Sequence, residues 1–164
     1  MKPIAHVKQQ DNGEWETHSL TEHALGTAKK AKAFATSFNS AEWGWLAGLW
    51  HDLGKARPAF QKHIKRGSGL DPNASISSEK DPNKNHASTG AMYAVDYMQQ
   101  QGAAAFGRAL AYMIAGHHAG LPDYTRGEAK GRSLDEALSD KHFLQEALVE
   151  DIEPKLLQGK LPSS

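Results

Sequence analysis

Two capping boxes, Ser19-Leu20-Thr21-Glu22 and Ser133-Leu134-Asp135-Glu136, constrain the fold of this chain more than any other feature. In such a box the serine hydroxyl and the glutamate three residues on each satisfy a backbone N–H that the first helical turn leaves without a partner, so a helix starts there. Behind the first box, Leu20, Ala24, Thr27, Ala31, Phe34, Ala35 and Phe38 recur at helical spacing and predict a helix over 20–38. Ser40 is placed to cap a second helix carrying Trp43, Leu46, Ala47, Leu49 and Trp50, with Gly54 stopping it just past His51 and Asp52. Pro58 suits the first position of a short third helix, 59–65, that turns Phe60 and Ile64 inward.

Between Gly67 and Lys84 the chain is nearly free of apolar residues, which predicts a surface loop. A fourth helix over 85–100 aligns His86, Gly90, Tyr93 and Tyr97 on one face, and a fifth over 103–118 aligns Phe106, Leu110, Met113 and His117. The second box opens a last helical stretch through Leu148, broken before Pro154. With no repeat, heptad or strand alternation in competition, the expected fold is all-α, a compact domain of about five to seven helices. The length of 164 residues fits one domain over 1–164, its core at about 18–150.

Composition excludes several function classes. Nineteen basic and nineteen acidic side chains cancel, so no whole-molecule field draws the chain to nucleic acid or anionic lipid, and a polyanion has to be gripped locally. Without cysteine there is neither a disulfide framework nor a thiolate zinc site, which suits a reducing cytoplasm. Met1 to Gln10 lacks the apolar run of a signal peptide, and no stretch is apolar for long enough to span a bilayer, so a soluble, cytoplasmic protein without membrane contact is expected.

The chemistry gathers around Trp50-His51-Asp52-Leu53-Gly54-Lys55, where consecutive residues offer a divalent ion an imidazole nitrogen and a carboxylate oxygen, with a lysine one turn on. Of nine histidines, five fall at helix positions able to point to a common centre: His23, His51, His86, His117 and His118. An imidazole on an apolar stripe needs a partner, because an unsatisfied buried polar nitrogen costs about 1–3 kcal/mol. Separate hydrogen bonds to backbone carbonyls are one solution; a shared metal satisfies all the nitrogens at once, neutral imidazole being a favoured ligand of Mn, Fe, Co, Ni and Zn.

The order His23, His51-Asp52, His86, His117-His118 resembles the HD metal-dependent phosphohydrolase superfamily. Leu-Trp-His-Asp-Leu-Gly-Lys-Ala-Arg-Pro-Ala-Phe-Gln (49–61), Asn-His-Ala-Ser-Thr-Gly-Ala (85–91) and Ala-Gly-His-His-Ala-Gly-Leu-Pro-Asp (115–123) are similar to the HD nuclease domain of the CRISPR-associated helicase-nuclease of type I systems. The resemblance covers about residues 18–124. It implies that His23 and His51 bind a first metal, that Asp52 bridges two metals, and that His86, His117 and His118 hold the second. His18 competes with His23 but precedes the cap and is expected on a loop. Lys55 matches a lysine that orients the scissile phosphate or stabilises its developing charge; the bland alternative is a solvated lysine complementing the helix dipole. The family closes its first site with a late aspartate, and Asp135, Asp140 and Asp151 lack that residue's surroundings. An excised domain, or a fragment of a longer protein or subunit, is therefore expected.

What the resemblance implies is a nuclease that degrades single-stranded DNA in antiviral interference, using one or two divalent transition ions (Mn, Ni, Co or Fe, with Mg allowed) and working with a helicase domain or subunit and an RNA-guided surveillance complex. Two ions about 3.5–4 Å apart activate water and clamp the phosphate oxygens, so no serine or cysteine nucleophile is needed. Lys29, Lys30, Lys32, Lys62, Lys65 and Arg66, with Trp43, Trp45, Trp50 or Tyr124, offer a track for DNA, although solvated helix faces explain the charges and the core explains Trp43 and Trp50. An HD nucleotide or cyclic-dinucleotide phosphohydrolase is the alternative enzyme; it wants an arginine clamp, and Arg57, Arg66, Arg108, Arg126 and Arg132 are not clustered in sequence. The third reading is a catalytically silent docking module.

Overall fold

The computed structural model describes residues 2–73, 82–118, 120–123 and 133–162, and side chains outside 82–85. The described residues are mostly helical, as the periodicity predicts, with one element that it does not foresee, an antiparallel hairpin of β1 (Ile4–Gln9) and β2 (Trp15–Ser19). The turn between them closes through Gln10 N–H on Glu14 O at 2.8 Å, with Gly13 at φ 84°, a left-handed value that glycine adopts without a Cβ penalty. Register pairs His6 with His18, so His18 lies on a strand and not on a loop.

Seven α-helices follow among the described residues: α1 (Leu20–Thr36), α2 (Ala41–Trp50), α3 (Pro58–Ser68), α4 (Pro82–Gln100), α5 (Ala104–Ala115), α6 (Leu134–Ala137) and α7 (Lys141–Leu148). The start of α1 is the one its sequence predicts: Ser19 Oγ accepts the Glu22 N–H at 3.2 Å and donates to its carboxylate at 2.7 Å. Its end is not, because α1 stops at Thr36 and leaves Phe34 and Phe38 exposed. A 3-10 turn, Leu53–Ala56, follows α2 directly, so His51 caps the helix and Asp52 begins the turn.

Pro58 opens α3, which runs past the expected 59–65 to a left-handed Gly69. Helix α4 begins at Pro82, inside the segment expected as loop; residues 74–81 lie outside the described part. Ending at Ala115, α5 leaves His117 and His118 in the turn beyond it, and Met113 is exposed. The Ser133 box is complete, but the stretch it opens breaks at Leu138–Asp140 into α6 and α7.

Helix α1 packs on α2 and α4 on α5, with Leu20, Leu46, Leu49, Met98, Leu110 and Ile114 among the buried core. Trp50 sits at its centre, fully buried between Tyr93 and Tyr97 at ring distances of 5.3 and 5.1 Å. Its indole Nε1 donates to Leu156 O, while Tyr93 and Tyr97 donate to Leu157 O and Gly159 O, so the C-terminal segment is strapped across the core. Truncating a ring this buried costs about 3–5 kcal/mol in comparable cores. Because Trp50 directly precedes His51, that packing also fixes where the His-Asp pair emerges.

Candidate metal centre

Asp52 is the hub. It is 3% exposed, and its two oxygens face different groups of donors. Around Oδ2 stand His23 Nε2 at 2.8 Å, His51 Nε2 at 3.1 Å and Lys55 Nζ at 2.9 Å. Around Oδ1 stand His86 Nε2 at 3.3 Å and His117 Nε2 at 3.6 Å, with His118 Nε2 2.7 Å from His86 Nε2. The structure thus brings all six residues singled out by the sequence to one place, with Lys55 buried among them. Close helix contact makes this possible. A Cβ on Gly54 would lie 2.4 Å from the His86 backbone and one on Gly90 would lie 1.9 Å from Trp50 O, so only glycine lets α4 approach the His-Asp turn.

Three observations bear on whether these donors suit a cation. Asp52 Oδ1 is buried without a hydrogen bond, although a buried carboxylate oxygen left so is costly. The rear nitrogens are committed: His51 Nδ1 lies 2.8 Å from Gly48 O and His117 Nδ1 lies 2.6 Å from Ile114 O. A carbonyl only accepts, so each Nδ1 carries the proton and each Nε2 turns a lone pair toward Asp52, the arrangement that orients metal-ligating histidines. Donors 2.0–2.2 Å from one ion stand about 3.0–3.5 Å apart, and most of the spacings here, including 3.3 Å between His23 Nε2 and His51 Nε2, fall close to that range. The residues fit a divalent metal.

Electrostatics agree. Burial raises the Asp52 carboxyl, but the ring nitrogens of His117, His23, His51 and His86 gathered around it outweigh this and hold the group far below the ordinary carboxylate range. Burial lowers His118, with His117 and His86 adding to the effect. Burial lowers His6 too, helped by Lys55 and His23. Both imidazoles therefore stay neutral, with a lone pair to offer, to lower pH than a free histidine.

His6 is the residue that helical periodicity misses. Its Nε2 lies 3.2 Å from His23 Nδ1, and His6, His23 and Asp52 form a second group of donors beside the Asp52-His86-His117-His118 group. Gln61 holds β1 there: its amide accepts from Ile4 N–H at 2.9 Å and donates to Ile4 O at 2.8 Å and Lys55 O at 2.7 Å. The Asn12-Gly13 pair, a hairpin signal, marks the strands that carry His6.

Neither donor group contains a second aspartate among the described residues. Asp135 pairs with Arg108 at 2.8 Å, Asp140 directly precedes α7 and Asp151 lies exposed beyond it. Lys29, Lys30, Lys32, Lys62 and Arg66 are exposed, whereas Trp43 packs against the core and Trp50 is within it. Tyr124, Arg126 and Arg132 lie outside the described residues. No helix among the described residues is long and apolar enough to cross a membrane. No curated protein matches the chain. Residues 6–158 match the family described as Cas3, HD domain, a stretch that takes in every donor from His6 to His118, and the chain belongs to that family of metal-dependent nucleases of type I CRISPR defence.

Proposed function

We propose that this domain hydrolyses phosphodiester bonds of single-stranded DNA in CRISPR interference, delivered to its substrate by a helicase domain or subunit and an RNA-guided surveillance complex. The observation that carries the reading is Asp52, a buried carboxylate with one oxygen toward His23 and His51 and the other toward His86, His117 and His118. His23, His51 and Asp52 would hold one divalent ion, and Asp52, His86, His117 and His118 another. When bound, such ions polarise the phosphoryl oxygens and make the attacking water more acidic.

In the reaction the water oxygen bonds to phosphorus, the bond to the leaving sugar oxygen breaks, and that oxygen takes a proton. Lys55 suits the developing charge: its ammonium is buried, and a cation in a dry site acts on a phosphate more strongly than in water. Water is the nucleophile this chain supports. It has no cysteine, and Ser19 is committed to capping α1.

A nucleotide phosphohydrolase is less well supported. Arg57 is packed on Phe143 and paired with Glu146, and Arg108 pairs with Asp135, so these two are engaged away from Asp52. Purified protein supplied in turn with Mn, Ni, Co and Mg, acting on circular single-stranded DNA and on a nucleotide panel, tests the assignment. Nicking of the circle that EDTA stops and Asp52→Ala abolishes, at nearly unchanged helix content, is expected. Turnover confined to nucleotides, or an Asp52→Ala protein that cuts at the normal rate, refutes it.

A further inference from the structure

Beside the histidine cluster lies a cleft of about 690 Å3, within the range of about 300–1,000 Å3 that small-ligand sites occupy. His86 and His118 line it and belong at the same time to the donor group on Asp52. Lys55 links the two, with Nζ 2.9 Å from Asp52 Oδ2 and 5.7 Å from the centre of the Phe60 ring. Away from Asp52 the walls change character. Ile64 of α3 supplies an aliphatic surface beside the largely buried Phe60, and the imidazoles of His6 and His63 line the same end. The Phe60 ring stands 5.5 Å from that of His86 and 6.3 Å from that of His63. One end of the cleft is therefore built for phosphate, the other for a flat group with apolar faces and polar edges.

A scissile phosphate carries a nucleoside on either side, so a phosphate held at Asp52 sends a neighbouring base into this cleft. We propose that the cleft between α3 and β1 seats the nucleobase adjoining the scissile phosphate, and that it accepts only an unpaired base. The phosphate's position rests on the nuclease reading; the chemistry of the walls does not. Inside a duplex both faces of a base are covered by its neighbours, and it must leave the stack before the rings of this cleft can cover them. Stacking on protein rings tolerates every base, because each has a π-face, so the seat selects strandedness and not sequence.

The test compares a labelled oligothymidylate, the same strand annealed to oligoadenylate, and an equally long strand of abasic sites, each binding the full chain in EDTA by fluorescence anisotropy. The thymidine strand binds about tenfold tighter than the abasic one, the preference disappears in the duplex, and it falls toward unity in Ile64→Trp, whose indole fills the cleft, once circular dichroism shows that variant folded. A wild-type ratio within twofold, no binding of either single strand, or a folded Ile64→Trp that keeps the ratio overturns the seat. Displacement of the strand by thymidine monophosphate at equal base concentration supports the seat and assigns it to free nucleotides. Turnover of bis(p-nitrophenyl) phosphate by the wild type with Mn reports the metal centre, whereas the strand ratio is read in EDTA without it. Its absence with the ratio intact removes the nuclease reading and leaves the seat; its presence without the ratio does the reverse.

Discussion

A single methyl group at Gly90 tests how the fold builds the site. Built on the present backbone, the Cβ of Gly90→Ala stands 1.9 Å from Trp50 O, 3.0 Å from Trp50 C and 3.3 Å from His51 O. Real Cβ atoms do not come within 3.0 Å of such neighbours, so α4 and the end of α2 must part by at least about 1.1 Å, the difference between those two distances. Trp50 gives little way, because its side chain is fully buried between Tyr93 and Tyr97 and tied to Leu156. The shift therefore falls on α4, and one turn before Gly90 that helix carries His86. Taken along the line to Asp52 Oδ1, it stretches the 3.3 Å separation to about 4.4 Å. Ligand distances tolerate about 0.2 Å, so the displacement is roughly five times what a shared ion accepts.

The energetics point the same way. Overpacking costs about 1–3 kcal/mol, and the better helix propensity of alanine returns at most about 1 kcal/mol, so the net effect is destabilising. Calorimetric titration with Mn on Gly90→Ala is expected to show at least a tenfold loss of affinity, with a melting temperature lowered by several degrees. Gly26→Ala on α1 is the control: nothing lies within 4 Å of its Cβ, and it should gain stability with no change in Mn affinity. A Gly90→Ala protein that binds Mn within twofold of wild type and melts no lower refutes the close-approach argument.

Two further outcomes follow from neighbouring contacts. His6→Ala removes the acceptor 3.2 Å behind His23 Nδ1 and is expected to weaken divalent-ion binding about tenfold to a hundredfold while the melting temperature without metal changes little; unaltered Mn affinity by calorimetry contradicts that role. Tyr93 ionises late, pushed up to about 12 by burial and then by Tyr97, so stability present below pH 10 is lost as pH rises through that value, since the unfolded chain releases the proton first. Absorbance at 295 nm should show one of the four tyrosines titrating near pH 12, and a single step near pH 10 for all four rules it out.

Much of this architecture was legible because local signals and global packing agree. Ser19 with Glu22 and Ser133 with Glu136 mark helix starts that depend on no distant residue. Pro58 does the same for α3. The His51-Asp52 junction was readable from apolar residues that end at Trp50 and a glycine at 54. Other features depend on partners far away in sequence. The hairpin has too few apolar residues to alternate, and it is fixed instead by Gln61, 57 residues from Ile4. Thr36 ends α1 although Phe34 and Phe38 fit its periodicity, and both rings lie on the surface. Lys55 read equally as a solvated helix-end lysine, since nothing in the residues around it announces that β1, α3 and α4 close over it.

The donors converge where the fold has least slack. His51 and His117 spend their rear nitrogens on the carbonyls of Gly48 and Ile114, three residues back in each case, so each imidazole is aimed by its own helix end before an ion arrives. His23 is aimed by His6 on β1, and the glycine contacts of α4 set where His86 stands. Donors held at their own helix end survive distant changes, whereas His23 inherits every shift of β1 and His86 every shift of α4. Substitutions far from Asp52 therefore reach the centre by two routes, through Gln61 and β1 to His23, or through the helix contact at Gly54 and Gly90 to His86. They leave His51 and His117 in place, so damage to one side of Asp52 need not disturb the other.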